Sequence, residues 1–371
     1  MKKKVLLFDC SCFKYMQGTT SVMLGIIENI QESNKKINVF EKIEIHVAYN
    51  ELHESIKIRK KDIFFHKISS NVIMRNIYSL TTLSHKIKSD YIISNYTIPI
   101  PFLSRGKKIC FLHDLLFLKN PEFFSFKYKL SRVFLFYFSA KFCDHLLTIS
   151  NFSKSCIEKI YKIKGDKISV FKLGVDNSYI KKSNPEINGK YNLLYVANYE
   201  KRKRHNYALR VFEELKRSKV NVKLNIIGGG TTNYAKEMFK IMKKYKYKYQ
   251  KDFDFFTNIS NEELSEIYKT THIFLFPSYA EGFGIPVLEA ALMGIPCVVS
   301  DGSSLDELVD FYIGYKFKRD SYNSFSKKCK LIIKNYSKFK KLAIQNIPII
   351  KEKISWKYRT TIFLKIIKDI I

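Results

Sequence analysis

The sequence predicts an α/β protein built from two Rossmann-like domains. Three observations carry that prediction. Its 371 residues exceed the ~100 to 200 of a single domain. Each half opens on an apolar run of strand length followed by a polar loop and a helical stretch, at residues 5–30 and 191–216. The segment THIFLFPSYAEGFGIPVLEAALMGIPCVVSD, residues 271–301, reads as strand, glycine loop, helix and strand, the repeating unit of such folds.

In the first half, residues 5–9 read as the first strand and 22–30 as a helix. Gly18, Thr19 and Thr20 stand at that helix's entrance, where they serve either as an N-cap or as an anion or acceptor site. Strands follow at 42–49, 90–95 and 108–112, the last running into His113 and Asp114. A residue just past a parallel strand sits at the edge where ligands of open α/β sheets bind. Residues 126–147 read as a helix that mixes Phe and Tyr with Lys127, Lys129, Arg132 and Lys141. That mixture suits an anionic membrane surface, while burial on most of its sides is the favoured reading. Strands at 146–150 and 169–173 lead to a boundary near Asp176, and 177–190, polar and holding Pro185 and Gly189, reads as a linker.

In the second half, strand 191–197 precedes Glu200-Lys201-Arg202-Lys203-Arg204-His205-Asn206 and a helix at 207–216. Cations at a strand end beside a helix start can neutralise a diphosphate, Lys as a point charge and Arg as a fork. Strand 222–227 ends at Gly228, Gly229 and Gly230, where backbone can approach a nucleotide. The helix at 234–251 carries KKYKYKYQK, where a solvated helix end is favoured over a charged and stacking grip for single-stranded nucleic acid or a contact with an anionic membrane. Asp252 and Asp254 resemble a metal-holding Asp-x-Asp pair, but their place before a capped helix at 260–263 favours a strand. In 271–301, Glu281 in the loop and Glu289 on the helix are hydroxyl acceptors, and the N–H groups of Phe283, Gly284 and Ile285 face an anion favoured by the helix dipole. Phosphate donors beside hydroxyl acceptors suit a sugar nucleotide. The competing reading takes Glu281 as an ordinary loop residue and Glu289 as an N-terminal helix charge.

Composition narrows the classes. Hydrophobic residues make up 46%, too many for a disordered chain. No apolar run reaches the ~18 residues of a membrane span, and the first apolar run ends at Asp9, so a strand is expected there rather than a signal peptide. Seven scattered cysteines without a C-x-x-C pair predict free thiols and no structural zinc. The net charge of +31 implies an anionic partner without choosing among nucleic acid, lipid headgroups and phosphate-bearing substrates.

Glu281, seven residues and Glu289, set in PSYAEGFGIPVLEAALMGIPCVVS, resemble the donor-site motif of the retaining GT-B glycosyltransferases of family 4. CFLHDLLFLKNPEFF, LLTISNFSKSCI and the Arg and Lys run after residue 197 are also similar to that family. The resemblance spans nearly the whole chain and is strongest over 192–308. It implies two Rossmann-like domains facing a cleft: 1–176 on the acceptor side, the linker 177–190, 191–355 binding the nucleotide sugar, and a final helix at 356–371 returning to the first domain. It further implies that Lys203, with Arg202 or Arg204, holds the diphosphate, that Glu281 positions the donor sugar, that Glu289 accepts from the ribose, and that His113 contacts the sugar. Gly18, Thr19 and Thr20 would face the cleft. Asn198 departs from the family, which commonly carries arginine there. The implied activity is transfer of a hexose, with mannose favoured, from a nucleotide diphosphate sugar to a lipid-linked glycan of surface polysaccharide. No metal or other cofactor and no nucleic acid is expected, and the implied place is cytoplasmic, peripheral on the inner membrane face. A GT-B epimerase or hydrolase, or a nucleic-acid-binding protein, are the alternatives.

Overall fold

The structure is a computed structural model that describes residues 3–15, 18–58, 62–175, 185, 189–257, 259–310 and 314–370. The chain divides into two compact units, Met1–Gly174 with Ile354–Ile371, and Val175–Lys353. Asp176 and most of the expected linker lie outside the described residues.

The first unit contains β1 (Lys4–Asp9), β2 (Ile43–Tyr49), β3 (Ile63–Lys67), β4 (Tyr91–Asn95), β5 (Lys107–Phe111), β6 (His145–Thr148) and β7 (Ile168–Val170). They form one sheet in the order β3-β2-β1-β4-β5-β6-β7, and each neighbouring pair is parallel. The second unit repeats the plan with β8 (Tyr191–Val196), β9 (Val222–Ile227), β10 (Phe253–Phe256), β11 (Ile273–Phe276), β12 (Cys297–Ser300) and β13 (Tyr315–Phe317), ordered β10-β9-β8-β11-β12-β13. Central strands such as Leu6–Phe8 and Ile273–Phe276 are buried on both faces, as covered parallel sheets require. In both sheets the order reverses beside the first strand, between β1 and β4 and between β8 and β11. The carboxyl ends of the strands at such a reversal are where folds of this kind bind ligands.

The final helix, Trp356–Asp369, packs in the first unit. Phe363 meets Phe8, Phe111 and Phe171. Trp356, the chain's one tryptophan, lies against Gly25 of the helix Gly18–Ile37 and against Gly174. A Cβ on Gly25 would stand 2.1 Å from the indole, and one on Gly174 2.6 Å. Gly25→Ala is therefore expected to push the final helix off its seat and to destabilise the unit by about 1 to 3 kcal/mol. Urea unfolding followed by tryptophan emission reads this directly, and an unchanged midpoint would show that the helix seat tolerates the methyl group.

The helix at Phe126–Phe142 overturns the favoured reading of it. It buries only Phe136, Ser139 and Ala140, and Phe126, Leu130 and Phe134 are 73%, 66% and 72% exposed. Its aromatic residues are distributed around the helix rather than along one stripe, so a single packing face cannot cover them all. Strand β3 and the helix Tyr336–Ile354 were not legible in the sequence. Strand β3 is an edge strand whose burial is confined largely to Ile63, so no apolar alternation marks it.

Candidate active site

In the second unit, β8 and β11 are adjacent and parallel, so the loops beyond their carboxyl ends emerge side by side at the point where the strand order reverses. The β8 loop carries Arg202 and Lys203, and the β11 loop carries Glu281. They converge on one another. Lys203 Nζ donates to Glu281 Oε1 at 2.6 Å, and Arg202 Nη1 donates to Glu281 Oε2 at 3.0 Å. Arg202 also donates to the Ala280 carbonyl at 2.9 Å, and the Tyr279 N–H donates back to the Arg202 carbonyl at 2.7 Å. The two loops thus fix each other through main chain as well as charge.

These side chains are largely out of water, 14% exposed for Arg202, 12% for Lys203 and 8% for Glu281. Burial alone would raise the Glu281 carboxyl, but the adjacent Lys203 and Arg202 charges outweigh it and hold the group at about 2. Glu281 is consequently a permanent hydrogen-bond acceptor and not a proton donor. The Lys203 ammonium is shifted downward by burial and by Arg202, against the pull of Glu281. Residues invisible in the sequence reading support the cluster. The Ser304 hydroxyl donates to the carbonyls of Glu281 and Phe283 at 2.7 and 3.2 Å, the Ser300 hydroxyl to that of Ser278, and the Tyr195 hydroxyl to that of Lys203.

The helix Ile285–Leu292 begins directly after the loop, with Gly284 at its N-cap in the left-handed region at φ 111°. A side chain there would be strained, and its Cβ would also meet Leu305 at 2.8 Å. Pro286 occupies the helix's second position. Among the described residues, the N–H groups of Phe283, Gly284 and Ile285 have no acceptor, so three donors and a positive helix end are available to an anion. Glu289, one turn further, is half-buried and accepts from the Tyr268 hydroxyl at 3.2 Å.

The remaining second-unit candidates separate. Arg204 turns away from Glu281: its guanidinium donates to the Arg319 carbonyl, lies 3.5 Å from Asp320 and stacks over Tyr279 at 4.5 Å. Arg319 stacks over Tyr279 as well, at 4.6 Å, and no sequence motif signals that arrangement. Arg202, and not Arg204, is therefore the cation that accompanies Lys203. Asn198 is exposed in the neighbouring loop. Gly228 must lack a side chain, because a Cβ there would stand 2.0 Å from the Ala197 carbonyl oxygen. The Gly229 carbonyl then accepts from the Tyr199 N–H at 2.8 Å.

His113 belongs to the first unit, just beyond β5. It is buried, its Nε2 lies 3.0 Å from Asn95 Oδ1, and burial depresses it to about 4. The imidazole is neutral near neutral pH, with Nε2–H donating to the Asn95 oxygen. Thr20 is fully buried, its hydroxyl within 2.8 Å of the Cys12 carbonyl and 2.6 Å of that of Tyr15, so it anchors the preceding loop. Thr19 is half-buried and Gly18 exposed.

Two other motifs resolve into local structure. Asp252 pairs with Lys190 and Lys216 at 2.8 and 2.6 Å, and Asp254 with Lys223 and Lys246 at 2.7 and 2.5 Å. Each acid is thereby engaged by two lysines. In KKYKYKYQK, Tyr245 packs on Tyr249 and Phe253 and Tyr249 donates to Glu213, leaving Tyr247 bare at 88%. An alternating row of open rings for stacking is not formed.

Residues 176–347 match the family described as glycosyl transferases group 1. Over 211 residues the chain is 32% identical to the O-antigen chain mannosyltransferase RfbU of Salmonella typhimurium, covering 56% of this chain and 55% of that protein. The chain spans about half the length of the curated relatives it matches. Among solved structures, the sucrose-phosphate synthase of Thermosynechococcus elongatus superposes with a TM-score of 0.74 at 13% identity, covering 100% of this chain and 99% of that one. Anabaena Alr3699/HepE, solved in complex with UDP-glucose, superposes at 0.72 with 15% identity, covering 99% of each chain. At such identities the likeness is one of fold, and that fold is GT-B. The matched stretch, residues 176–347, is the one that brings Lys203 and Glu281 together, and over it the chain is similar to the glycosyl transferases group 1 family.

Proposed function

We propose that this protein is a retaining glycosyltransferase that moves a hexose from a nucleotide diphosphate sugar to a hydroxyl of a lipid-linked glycan during synthesis of a surface polysaccharide such as O-antigen. The observation that carries the reading is the convergence of Arg202 and Lys203 on Glu281 beside three donors at a helix N-terminus. In such a transfer, negative charge grows on the departing diphosphate while the sugar becomes oxocarbenium-like. Fixed positive groups in a site shielded from water stabilise that charge without reorganising. Lys203, Arg202 and the N–H groups of Phe283, Gly284 and Ile285 fill this role, so the reading requires no metal. Glu281, ionised throughout, accepts from the donor sugar's hydroxyls, and Glu289 accepts from the ribose. The leaving phosphate takes the proton of the attacking hydroxyl on the same face, which preserves the anomeric configuration.

RfbU is a mannosyltransferase by name and HepE was solved with UDP-glucose, which supports a nucleotide sugar donor and favours mannose. Work at the inner face of the cytoplasmic membrane follows from a lipid-linked acceptor. No helix among the described residues is long and apolar enough to cross a membrane, so attachment would be peripheral. A panel of nucleotide sugars tested by thermal shift identifies the donor, since a ligand at a hundredfold its Kd stabilises by about 2.7 kcal/mol. Glu289→Ala should reduce that shift. A full shift and full transfer in this variant would remove Glu289 from the donor site. Product formed from donor without any acceptor would point to an epimerase or hydrolase instead.

A further inference from the structure

Neighbouring strands β8, β11, β12 and β13 of the second unit send the loops at their carboxyl ends to one aromatic ring. The ring is that of Tyr279, half-buried just past β11. The Arg204 guanidinium from the β8 loop lies 4.5 Å from its centroid, and that of Arg319 from the β13 loop lies 4.6 Å from it. Both are inside the ~6 Å over which a ring's quadrupole attracts a cation. The arginines are also tied to the loops around them. Arg204 Nη1 donates to the Arg319 carbonyl, and Arg319 Nη1 donates to the Gly302 carbonyl of the β12 loop at 2.9 Å. The Arg319 N–H donates to Asp301 Oδ1 at 2.9 Å. Gly302, at φ 78°, leaves room for this, because a Cβ there would stand 3.1 Å from the Arg319 guanidinium carbon.

The ring, and not an ion pair, holds the cations. The carboxylate near both guanidiniums is Asp320, at 3.5 and 3.7 Å, but it is 63% exposed, and a pair so open to water contributes little. Arg204 also occupies the left-handed backbone region at φ 51°, a conformation that strains any residue with a side chain. Such strain persists only where the surroundings over-determine it, and it clusters at functional sites. The donor triad is immediately adjacent. Lys203 precedes Arg204, Glu281 follows Tyr279 by two positions, and the Tyr279 N–H donates to the Arg202 carbonyl at 2.7 Å. Displacing the ring therefore displaces the main-chain bond that joins the loops of Lys203 and Glu281.

We infer that Tyr279 is a positioning residue: its ring, gripped by Arg204 and Arg319, latches the β8 loop to the β11 loop and so aims the Lys203 ammonium at the departing diphosphate. The consequence for rate rests on the transferase reading, but the latch does not need it.

The test uses the full-length protein and the variants Tyr279→Leu, Tyr279→Phe and Arg204→Gly. Leucine removes the quadrupole and phenylalanine keeps it. Glycine removes one cation while adopting the left-handed backbone without strain, so Arg204→Gly should keep the wild-type unfolding midpoint. Hydrogen exchange over residues 200–206 and 277–283 reads the latch, since the Tyr279 amide is engaged with Arg202 only while the loops are joined. Exchange there should quicken about tenfold or more in Tyr279→Leu and Arg204→Gly and stay near wild type in Tyr279→Phe. Transfer kinetics read the consequence. A misplacement of about 1 Å can cost about a hundredfold in rate, so kcat should fall about tenfold or more in Tyr279→Leu and Arg204→Gly. KM for the nucleotide sugar should stay within about twofold, as expected when the lost interaction belongs to the transition state, and Tyr279→Phe should restore kcat. Full kcat in Arg204→Gly, wild-type exchange in Tyr279→Leu, or a loss of kcat that Tyr279→Phe does not rescue would each overturn the latch. If wild type transfers no sugar and no nucleotide sugar shifts its melting temperature, the transferase reading fails, while hydrogen exchange still decides the latch.

Discussion

Glu281→Ala is expected to abolish most sugar transfer and to lower the unfolding free energy by about 3 to 5 kcal/mol. The second figure follows from burial. Lys203 and Arg202 both direct a charge at this carboxylate, and with it gone two positive groups are left together in a site only 12% to 14% exposed. Removing one partner of a buried ion pair costs more than the pair itself contributes, because the survivor keeps its desolvation penalty without compensation. Lys203→Ala should behave differently. Arg202 still pairs with Glu281, so the fold is disturbed less, while transfer falls by about a hundred- to a thousandfold through lost stabilisation of the leaving group. Urea midpoints and transfer rates measured together on both variants distinguish the two roles. Equal destabilisation with unimpaired transfer in both would mean that the triad is only structural.

Stability should also fall steeply on mild acidification. His113 and His205 are buried, and burial holds them at about 4 and about 3, against 6.5 for a free imidazole. For His205 the hydrogen bond to the Ala197 carbonyl works against that depression without overcoming it. In both cases the fold keeps the neutral form and the unfolded chain takes up the proton first. The stabilisation is therefore complete above 6.5 and is lost as the pH falls toward those lower values. At about pH 5 each histidine has lost roughly 2 kcal/mol, or ~4 together, at about 1.4 kcal/mol per pH unit. Glu281 adds to this only below its ordinary carboxylate value of 4.5, because its folded value is about 2. Unfolding by urea at about pH 7 and about pH 5 measures the loss, and the double variant His113→Gln, His205→Gln should flatten it. A wild type equally stable at both values would mean that neither imidazole is held neutral by the fold.

The local chemistry of the second unit was readable because each device sits in a short stretch of sequence. Gly282 and Gly284 before a proline, and two glutamates eight positions apart, announce a loop and a helix N-terminus whatever surrounds them. The strand at 222–227 was legible for the same reason, as an apolar run closed by glycines. The helix Phe126–Phe142 was misread because composition does not say which sides a helix turns to its neighbours. Its aromatic residues look like core material, yet the sheet it covers accepts only Phe136, Ser139 and Ala140. The choice between Arg202 and Arg204 was equally closed to sequence. Arg204 adopts a left-handed backbone at φ 51°, which turns its side chain to Tyr279 and the Arg319 carbonyl. Neither partner lies within 70 positions of it in the chain.

Sequence by itself determined the class of fold, the two-unit plan and the strand, glycine loop and helix that carry Glu281 and Glu289, since periodicity, glycines and capping residues act over a few neighbouring positions. Tertiary structure alone decided that Lys203 and Arg202 meet Glu281, across 78 and 79 positions. That meeting depends on β11 pairing beside β8 rather than beside β10, a matter of strand order that no local pattern encodes. The same holds for the first unit, where the reversal between β1 and β4 draws residues as distant as Ser11, Arg75, Asp114 and Arg132 to one cavity. Parallel strands can become neighbours only through long crossovers, and so the groups that share a crevice are far apart in the chain.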